Sequence, residues 1–176
     1  MVVLESTRMR FRSHEPSGEE GYCAMEMDAE VRRYVGGYPR SREDAKARFQ
    51  RALTPSEGRL GMWATVLKQN ERYVGRCGLY ARFVDEGAVP GEAVLAFYIA
   101  RDYWGRGLAT EAGQAFVRFG FEELKLERIV TTIDVRNEAS GHILQMLGFV
   151  RTGTEIGARS FGHYELMSTD QAVESS

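Results

Sequence analysis

A glycine-containing turn between an apolar run and a helical pattern is the segment of this chain best suited to chemistry. Residues 104–112 read Trp-Gly-Arg-Gly-Leu-Ala-Thr-Glu-Ala and come directly after the apolar run of residues 94–100. Apolar residues then recur at helical spacing. The first turn of a helix carries backbone N–H groups that lack an intrahelical partner, and Gly105 and Gly107 let a ligand approach them closely. The segment therefore predicts a binding site for a phosphate or pyrophosphate.

The spacing of these glycines does not fit two common nucleotide sites. A nucleoside-triphosphate loop needs a Lys after its last glycine, and no Lys follows Gly107. A dinucleotide fingerprint needs a third glycine at the position of Thr110. It also lies near the start of a βαβ unit, whereas a long mixed region precedes the turn in this chain. We therefore expect the ligand of this turn to be neither a nucleoside triphosphate nor NAD.

The bulk composition is that of an ordinary globular domain and gives no support for nucleic-acid or membrane binding. Of the 176 residues, 43% are hydrophobic and 27% are charged, with a formal net charge of −2. The apolar runs are too short to cross a bilayer, and the first residues lack a signal-sequence pattern. Cys23 and Cys77 have neither a metal nor a disulfide-framework spacing. We expect a cytoplasmic protein, monomeric or homodimeric, without a metal ion and without a nucleic-acid or membrane partner.

The order of the predicted elements indicates a single α+β domain. A first strand is predicted from Leu4 to Arg12, two helical pieces from Glu19 to Val35, and a further helix that Ser41 caps. The remaining predictions are strands at 61–67, 73–82, 92–100 and 128–135, a loop at 85–91, helices from Gly107 to about Leu124 and from Asn137 to Gly148, and final strands at 149–152 and 161–167. With strands grouped in hairpins, this order predicts a mixed sheet of about seven strands over residues 1–168, followed by a polar tail at 169–176.

Several motifs in the same order give the chain a resemblance to the GNAT N-acetyltransferases, and among them to the RimJ/RimL ribosomal-protein type. The sharpest motif is Tyr-Trp-Gly-Arg-Gly-Leu-Ala-Thr-Glu-Ala at residues 103–112, where Trp104 replaces the Gln or Arg of the superfamily pattern. The other motifs are residues 8–12, 31–37, 63–66, 74–79, 127–129, 137–140 and 147–149. The resemblance covers nearly the whole chain. It implies a mostly antiparallel central sheet, flanking helices, and a splayed pair of strands that holds acetyl-CoA.

The resemblance also implies which residues hold acetyl-CoA as the cosubstrate. Main-chain N–H groups of residues 105–110 would hold the pyrophosphate, and the Thr110 hydroxyl would add to them. The pantetheine arm would pair with main-chain groups of residues 98–100, as an added β-strand does. The Asn137 side chain would contact the pantetheine amide, cap a helix, or do both. The predicted cofactor-binding residues are Tyr98, Ile99, Ala100, Trp104, Gly105, Arg106, Gly107, Leu108, Ala109, Thr110 and Asn137.

Ser140 and Glu92 are the predicted catalytic residues. By its likeness to the RimL type, the Ser140 hydroxyl would lie beside the coenzyme sulfur and protonate the departing thiolate. Many relatives use a Tyr for this task at the position of Leu144, and many carry a basic Glu at the position of Val94. Glu92 lies two residues before Val94, on the same strand face, and is the predicted general base. Alternatives for the base are Glu165, Tyr164, His142 and His163.

The leading function is acetyl-CoA-dependent transfer of an acetyl group to a primary amine by direct attack on the thioester. The acceptor is either a protein N-terminal amine or a small-molecule amine, because a fold alone does not choose between them. Residues 20–60 and the loops at 82–92 and 154–163 are predicted to form the acceptor side. The main alternative is a non-catalytic acyl-CoA-binding sensor or interaction module, and a nucleotide-binding protein with the same turn is the third.

Overall fold

A single eight-stranded sheet organises the part of the chain that the structure, a computed structural model, describes: residues 1–54, 58–85 and 87–169. The strands are β1 (Val2–Glu5), β2 (Met9–Arg12), β3 (Gly61–Leu67), β4 (Tyr73–Val84), β5 (Gly87–Ile99), β6 (Arg128–Asp134), β7 (Val150–Glu155) and β8 (Phe161–Met167). Their order in the sheet is β1-β2-β3-β4-β5-β6-β8-β7. Every neighbouring pair is antiparallel except β5 and β6, which are parallel. The predicted mixed, mostly antiparallel sheet is confirmed.

Five α-helices flank this sheet in the described ranges. They are α1 (Glu19–Met27), α2 (Ala29–Arg32), α3 (Arg42–Ala52), α4 (Leu108–Arg118) and α5 (Glu138–Met146). Since β5 and β6 are parallel, the chain needs a crossover between them, and α4 supplies it together with a π-helical turn at Phe119–Glu123. None of the described helices is long and apolar enough to cross a membrane.

The core lies between the sheet and α4. Phe116 of α4 meets Phe11 of β2 edge to face, with ring centroids 4.8 Å apart. Leu108, Ala112 and Phe119 continue the same buried face of the helix. The helical spacing seen in the sequence therefore corresponds to the face that α4 buries.

The first predicted strand is wrong as a single element. Residues 4–12 fold as a hairpin, because the Ser6 hydroxyl accepts the Met9 N–H (3.2 Å) and the Ser6 N–H is bonded to the Met9 carbonyl (2.9 Å). This turn separates β1 from β2 and raises the number of strands from seven to eight. Arg8 consequently lies in the turn, whereas Arg10 and Arg12 lie in β2.

Other element boundaries also differ from the predicted ones. The loop predicted at 85–91 is mostly strand, since Gly87 and Ala88 already pair with Val84 and Phe83. The long helix predicted to reach Leu124 ends as an α-helix at Arg118 and continues as the π-helical turn. Strand β7 runs over Val150–Glu155, whereas residues 149–152 were predicted. Of the tail predicted at 169–176, residues 170–176 lie outside the described residues.

A buried carboxylate attaches α1 and α2 to the sheet. The Glu26 side chain is 4% exposed, and its two oxygens accept bonds from Arg76 of β4 (2.5 Å) and from Arg40 (2.7 Å). The Arg32 guanidinium lies 3.5 Å from the same carboxylate. Arg76 also stacks over the rings of Tyr22 and Tyr98. Glu26 therefore sets the position of the helical segment that stands over one face of β4 and β5.

We predict that Glu26→Ala lowers the free energy of unfolding by about 3–5 kcal/mol, because three largely buried guanidinium groups lose their shared carboxylate. Urea denaturation followed by circular dichroism measures this loss. Glu123→Ala is the matched control, since Glu123 pairs with Arg59 at the surface and both side chains are about half exposed. The control should cost less than about 1 kcal/mol, and an equally small loss in Glu26→Ala would contradict this role of Glu26.

Candidate active site

The glycine turn leads into α4, and no side chain caps the first N–H groups of this helix. Gly107 is the N-cap of α4 and adopts a left-handed backbone (φ 72°), and no side chain caps the helix. The first intrahelical bond runs from the Glu111 N–H to the Gly107 carbonyl (3.0 Å). The N–H groups of Leu108, Ala109 and Thr110 precede it and therefore have no partner within the helix. This end of α4 can receive an anion.

A clamp from the N-terminal hairpin holds this turn in place. The Glu111 carboxylate accepts bonds from the Ser6 hydroxyl and the Arg8 N–H (both 2.7 Å) and from Arg8 Nε (2.6 Å). Arg8 Nη1 donates in addition to the carbonyl of Arg106 (2.9 Å). Burial opposes ionisation of Glu111, but the hydrogen bonds from Arg8 and Ser6 outweigh it and lower its pKa. No local sequence pattern reveals this clamp, because it joins positions more than 90 residues apart.

Strands β5 and β6 separate from each other beyond a short paired stretch. They pair only at three positions, of which the last joins Val94 to Val130. Beyond it, β5 continues to Ile99 against β4, and β6 continues to Asp134 against β8. The sheet therefore opens into a cleft between the carboxyl ends of the two strands, as the resemblance implied.

The main-chain groups that face this cleft belong to Phe97 and Ile99. The Ala100 N–H donates to the Val74 carbonyl of the neighbouring chain segment (2.8 Å). Since hydrogen bonding alternates along an antiparallel pair, the main chain of Tyr98 and Ala100 faces β4, and that of Phe97 and Ile99 faces the opening. The predicted pairing through Tyr98 and Ala100 is corrected accordingly. The Ile99 carbonyl is also bonded by the indole N–H of Trp104 (2.7 Å).

A cavity of about 580 Å³ lies between the end of β5, the start of α4 and α5. Most of the predicted cofactor residues line it: Tyr98, Ile99, Trp104, Gly105, Gly107, Leu108, Ala109, Thr110 and Asn137. Ala100 and Arg106 are not among its lining residues. The Arg106 side chain instead lies over the ring of Tyr103, with 5.3 Å between the guanidinium carbon and the ring centroid. The structure thus brings the turn, the cleft and the start of α5 to one cavity.

The start of α5 brings Asn137 and Ser140 into this cavity. The Asn137 side-chain oxygen accepts the Ser140 N–H (3.1 Å), so the predicted helix cap is present. This bond leaves the Asn137 amide NH₂ as a donor toward the cavity. Ser140 lines the cavity too, and Leu144 is fully buried in the core. Ser140 is therefore the hydroxyl of α5 that is available for chemistry in this cavity.

The structure argues against Glu92 as the general base. Its carboxylate is bonded by Arg82 and Arg128 in a cluster that also includes Glu165, and it does not line the cavity. Burial alone raises the pKa of Glu92, but the bonds from Arg82 and Arg128 outweigh it and lower the pKa. A carboxylate held by two guanidinium groups is a poor proton acceptor, so we correct this assignment.

Of the alternative bases, only His142 lines the cavity in the described structure. Glu165 is paired with Arg128 (3.2 Å), and His163 Nδ1 lies 3.2 Å from the Thr132 hydroxyl on the far strands. Tyr164 pairs with Thr131 in the sheet and packs against the core. Of the residues predicted for proton transfer, Ser140 and His142 are therefore the ones that line the cavity.

One wall of the cavity comes from the segment that follows α1. Glu30, Val31, Tyr34 and Val35 line it opposite α5. Arg159, in the connection between β7 and β8, donates to the Tyr34 carbonyl (2.8 Å) and so fixes this wall. The segment lies inside the predicted acceptor side of residues 20–60, although no individual residue of it was predicted. Only the contact across the fold, which local patterns do not reveal, assigns these side chains to the site.

Comparison with known proteins agrees with this arrangement. The family model described as "Acetyltransferase (GNAT) domain" matches residues 8–150. This chain belongs to the GNAT acetyltransferase family. A curated relative, "Uncharacterized N-acetyltransferase p20" of Bacillus licheniformis, is 28% identical over 155 residues, which are 87% of this chain and 85% of the relative. This GNAT protein is accordingly an N-acetyltransferase, and its family uses acetyl-CoA.

Solved structures share the fold of this GNAT protein. An acetyltransferase of the GNAT family from Bacillus anthracis superposes with a TM-score of 0.82 at 21% identity, covering 95% of this chain and 98% of that one. A spermidine N-acetyltransferase from Vibrio cholerae, solved in complex with CoA and spermine, superposes with a TM-score of 0.74 at 15% identity, with coverages of 92% and 96%. At these identities the likeness concerns the fold alone.

We predict that Gly107→Glu weakens coenzyme A binding at least about a hundredfold, or about 2.7 kcal/mol, because a carboxylate then stands where a diphosphate meets the helix end. Isothermal titration calorimetry with coenzyme A measures the change. Gly58→Glu is the matched control, since Gly58 also has a left-handed backbone (φ 81°) and open space around it but lies outside the cavity. Equal affinities of the two variants would contradict the assignment of the turn.

Proposed function

We propose that this GNAT protein transfers the acetyl group of acetyl-CoA to a primary amine by direct attack on the thioester. The observation that carries the proposal is one continuous cavity between the end of β5 and α5, which is lined by the unpartnered amides at the start of α4 and by Ser140. A thioester carrier has a diphosphate at one end and a reactive acyl group at the other. The cavity offers complementary groups for both ends.

The carrier would bind through the main chain more than through side chains. The diphosphate would accept bonds from the N–H groups of residues 108–110, with the Thr110 hydroxyl beside them. The pantetheine amides would pair with the main chain of Phe97 and Ile99, as a strand added to an open edge does. The free NH₂ of Asn137 would bond a pantetheine carbonyl. These positions are the proposal that replaces the pairing expected at Tyr98 and Ala100.

In the chemical step the amine nitrogen forms a bond to the thioester carbonyl carbon and the carbon–sulfur bond breaks. A cleft-facing N–H of β5 would stabilise the negative charge that develops on the carbonyl oxygen. The Ser140 hydroxyl would deliver a proton to the departing thiolate. The attacking amine would lose its proton to water or to His142. An α-amine has a reference pKa of about 7.7–8.0 and a thiol one of about 8.5, so both partners need only modest help near neutral pH.

The acceptor is proposed to be a protein N-terminal amine, as in the RimJ/RimL type, or a small-molecule amine. An α-amine is favoured over a Lys amine, whose reference pKa of about 10.4 leaves little of it neutral. We place the reaction in the cytoplasm, where acetyl-CoA is formed and where free thiols persist, since Cys23 and Cys77 are both free and buried.

The direct test is release of coenzyme A from acetyl-CoA in the presence of a panel of amines, followed with a thiol reagent. The proposal predicts release that depends on both the amine and the enzyme, and mass spectrometry should find the acetylated amine. The Gly107→Glu variant is the inactive control. Tight coenzyme binding without thiol release from any amine would overturn the enzymatic proposal in favour of a binding module.

We predict that Ser140→Ala lowers kcat about tenfold to a hundredfold, because the thiolate then leaves without its proton donor. The KM for acetyl-CoA should stay within about twofold. Steady-state kinetics over pH 6–10 measures both effects. Ser17→Ala, an exposed serine far from the cavity, is the control. Wild-type kcat in Ser140→Ala would remove this hydroxyl from the mechanism.

A further inference from the structure

A second pocket, lined by three arginines, lies next to the cavity of the candidate active site. It measures about 440 Å³ and is lined by Arg33, Tyr34, Gly37, Arg136 and Arg159. Tyr34 lines both spaces, so the two are neighbours across one side chain. The residues of the phosphate-binding turn do not line the second pocket. Four of its five lining residues (Arg33, Tyr34, Gly37 and Arg159) lie in the segments predicted for the acceptor side.

Two of the three guanidinium groups are fixed by one buried carboxylate. The Asp134 side chain is fully buried, and it accepts bonds from Arg136 (2.9 and 2.7 Å) and from Arg159 (3.2 and 2.9 Å). The bonds from Arg136, the strongest influence, hold the pKa of Asp134 well below its usual range. Arg159 is held further by its bond to the Tyr34 carbonyl. These guanidinium groups are thus positioned before any ligand arrives.

The pocket carries more positive than negative charge. The Tyr34 ring has Arg33 and Arg136 near it, with guanidinium carbons 5.8 and 6.0 Å from its centroid. The Arg33 partner is Glu30 at 3.2 Å, in an exposed pair that water screens. Asp134 is shared between two arginines. Three guanidinium groups therefore face two carboxylates, one of which is exposed to solvent.

A second cluster behind this wall adds to the positive potential. Glu26 is surrounded by Arg32, Arg40 and Arg76, all of them mostly buried. In the same helical segment the Asp28 carboxylate caps α2, and Glu30 is the partner of Arg33. An anion that binds beside this wall of the cavity would be attracted by an excess of guanidinium charge. A polycation would meet repulsion there.

We propose that the acceptor is a small amine that also carries a carboxylate or phosphate group, and that the pocket of Arg33, Arg136 and Arg159 binds this group. The inference rests on the proposed acetyl transfer and names its substrate class. A planar guanidinium fork matches a carboxylate or phosphate with two parallel hydrogen bonds. The anion would hold the acceptor on the Tyr34 side while its amine extends into the cavity toward the thioester. This acceptor is opposite in charge to the spermine found in the Vibrio cholerae structure.

The kinetic test compares acceptors that differ only in the anionic group. Glycylglycine is paired with glycylglycinamide, phosphoethanolamine with ethanolamine, and spermidine is the cationic reference. The proposal predicts at least a fivefold higher kcat/KM for the anionic member of one pair, and which pair responds separates carboxylate from phosphate. An equal or greater kcat/KM for the member without the anionic group in both pairs, or a preference for spermidine, would overturn the proposal.

Charge-removing variants assign the effect to the pocket. Arg136→Gln and Arg33→Gln should each raise the KM for the anionic acceptor at least fivefold. Both should leave unchanged the KM for acetyl-CoA and for the acceptor without the anionic group. Arg59→Gln, which removes a half-exposed arginine that lines neither cavity, is the control. A raised KM for acetyl-CoA would instead assign the pocket to the phosphates of the carrier. An unchanged KM for the anionic acceptor in both variants would also contradict the proposal.

A binding measurement keeps this inference separate from the proposed reaction. Calorimetric titration of glycylglycine, and separately of inorganic phosphate, into the protein saturated with coenzyme A should give saturable heat that Arg136→Gln weakens at least fivefold. Absence of heat with both probes would overturn the anion site even in an active enzyme. Absence of thiol release from every amine, with saturable heat in this titration, would overturn the acetyl transfer and leave the anion site standing.

Discussion

The separation of β5 from β6 is the constraint on which the rest of the site depends. A strand edge inside a sheet normally has its N–H and C=O groups paired, and leaving them unpaired in a buried place is unfavourable. Here the pairing stops at Val94 and Val130, and each strand is held open by its other neighbour, β4 on one side and β8 on the other. The main chain of Phe97 and the N–H of Ile99 are thereby left for a ligand, while the Ile99 carbonyl accepts the indole N–H of Trp104. A carrier with amide groups along its length is the chemical match.

The remaining parts of the site are supported from distant parts of the chain. The hairpin of β1 and β2 holds the glycine turn through Ser6, Arg8 and Glu111. Glu26 and Arg159 hold the wall formed by the segment after α1, one through β4 and the other through Tyr34. Each support is a charged group that makes several hydrogen bonds, and this fixes geometry better than a single exposed ion pair does. A preorganised cavity of this kind lets positioning supply much of the rate of acyl transfer.

The features that the sequence predicted are local ones. The features that it did not predict depend on contacts between residues far apart in the chain. The glycine turn, the Ser41 and Asn137 caps and the crossover helix follow from residue types a few positions apart, and they are present. The alternation along β5 shows that positions 97 and 99 share one direction, but only the register with β4 decides that they face the cleft. Glu92 is the predicted base from the sequence, yet in the fold Arg82 and Arg128 donate hydrogen bonds to its carboxylate. The arginine pocket joins residues about 100 positions apart and leaves no local signal.

Amide hydrogen exchange measured by NMR, with and without coenzyme A, tests the central claim most directly. In the free protein the N–H groups of Phe97, Ile99, Leu108, Ala109 and Thr110 should exchange much faster than those of Tyr98 and Ala100, which the pairing with β4 protects. Saturation with coenzyme A should slow the first group at least tenfold and leave the second unchanged. Slow exchange of the first group in the free protein, or no change on adding coenzyme A, would contradict the claim that these main-chain groups wait for the carrier.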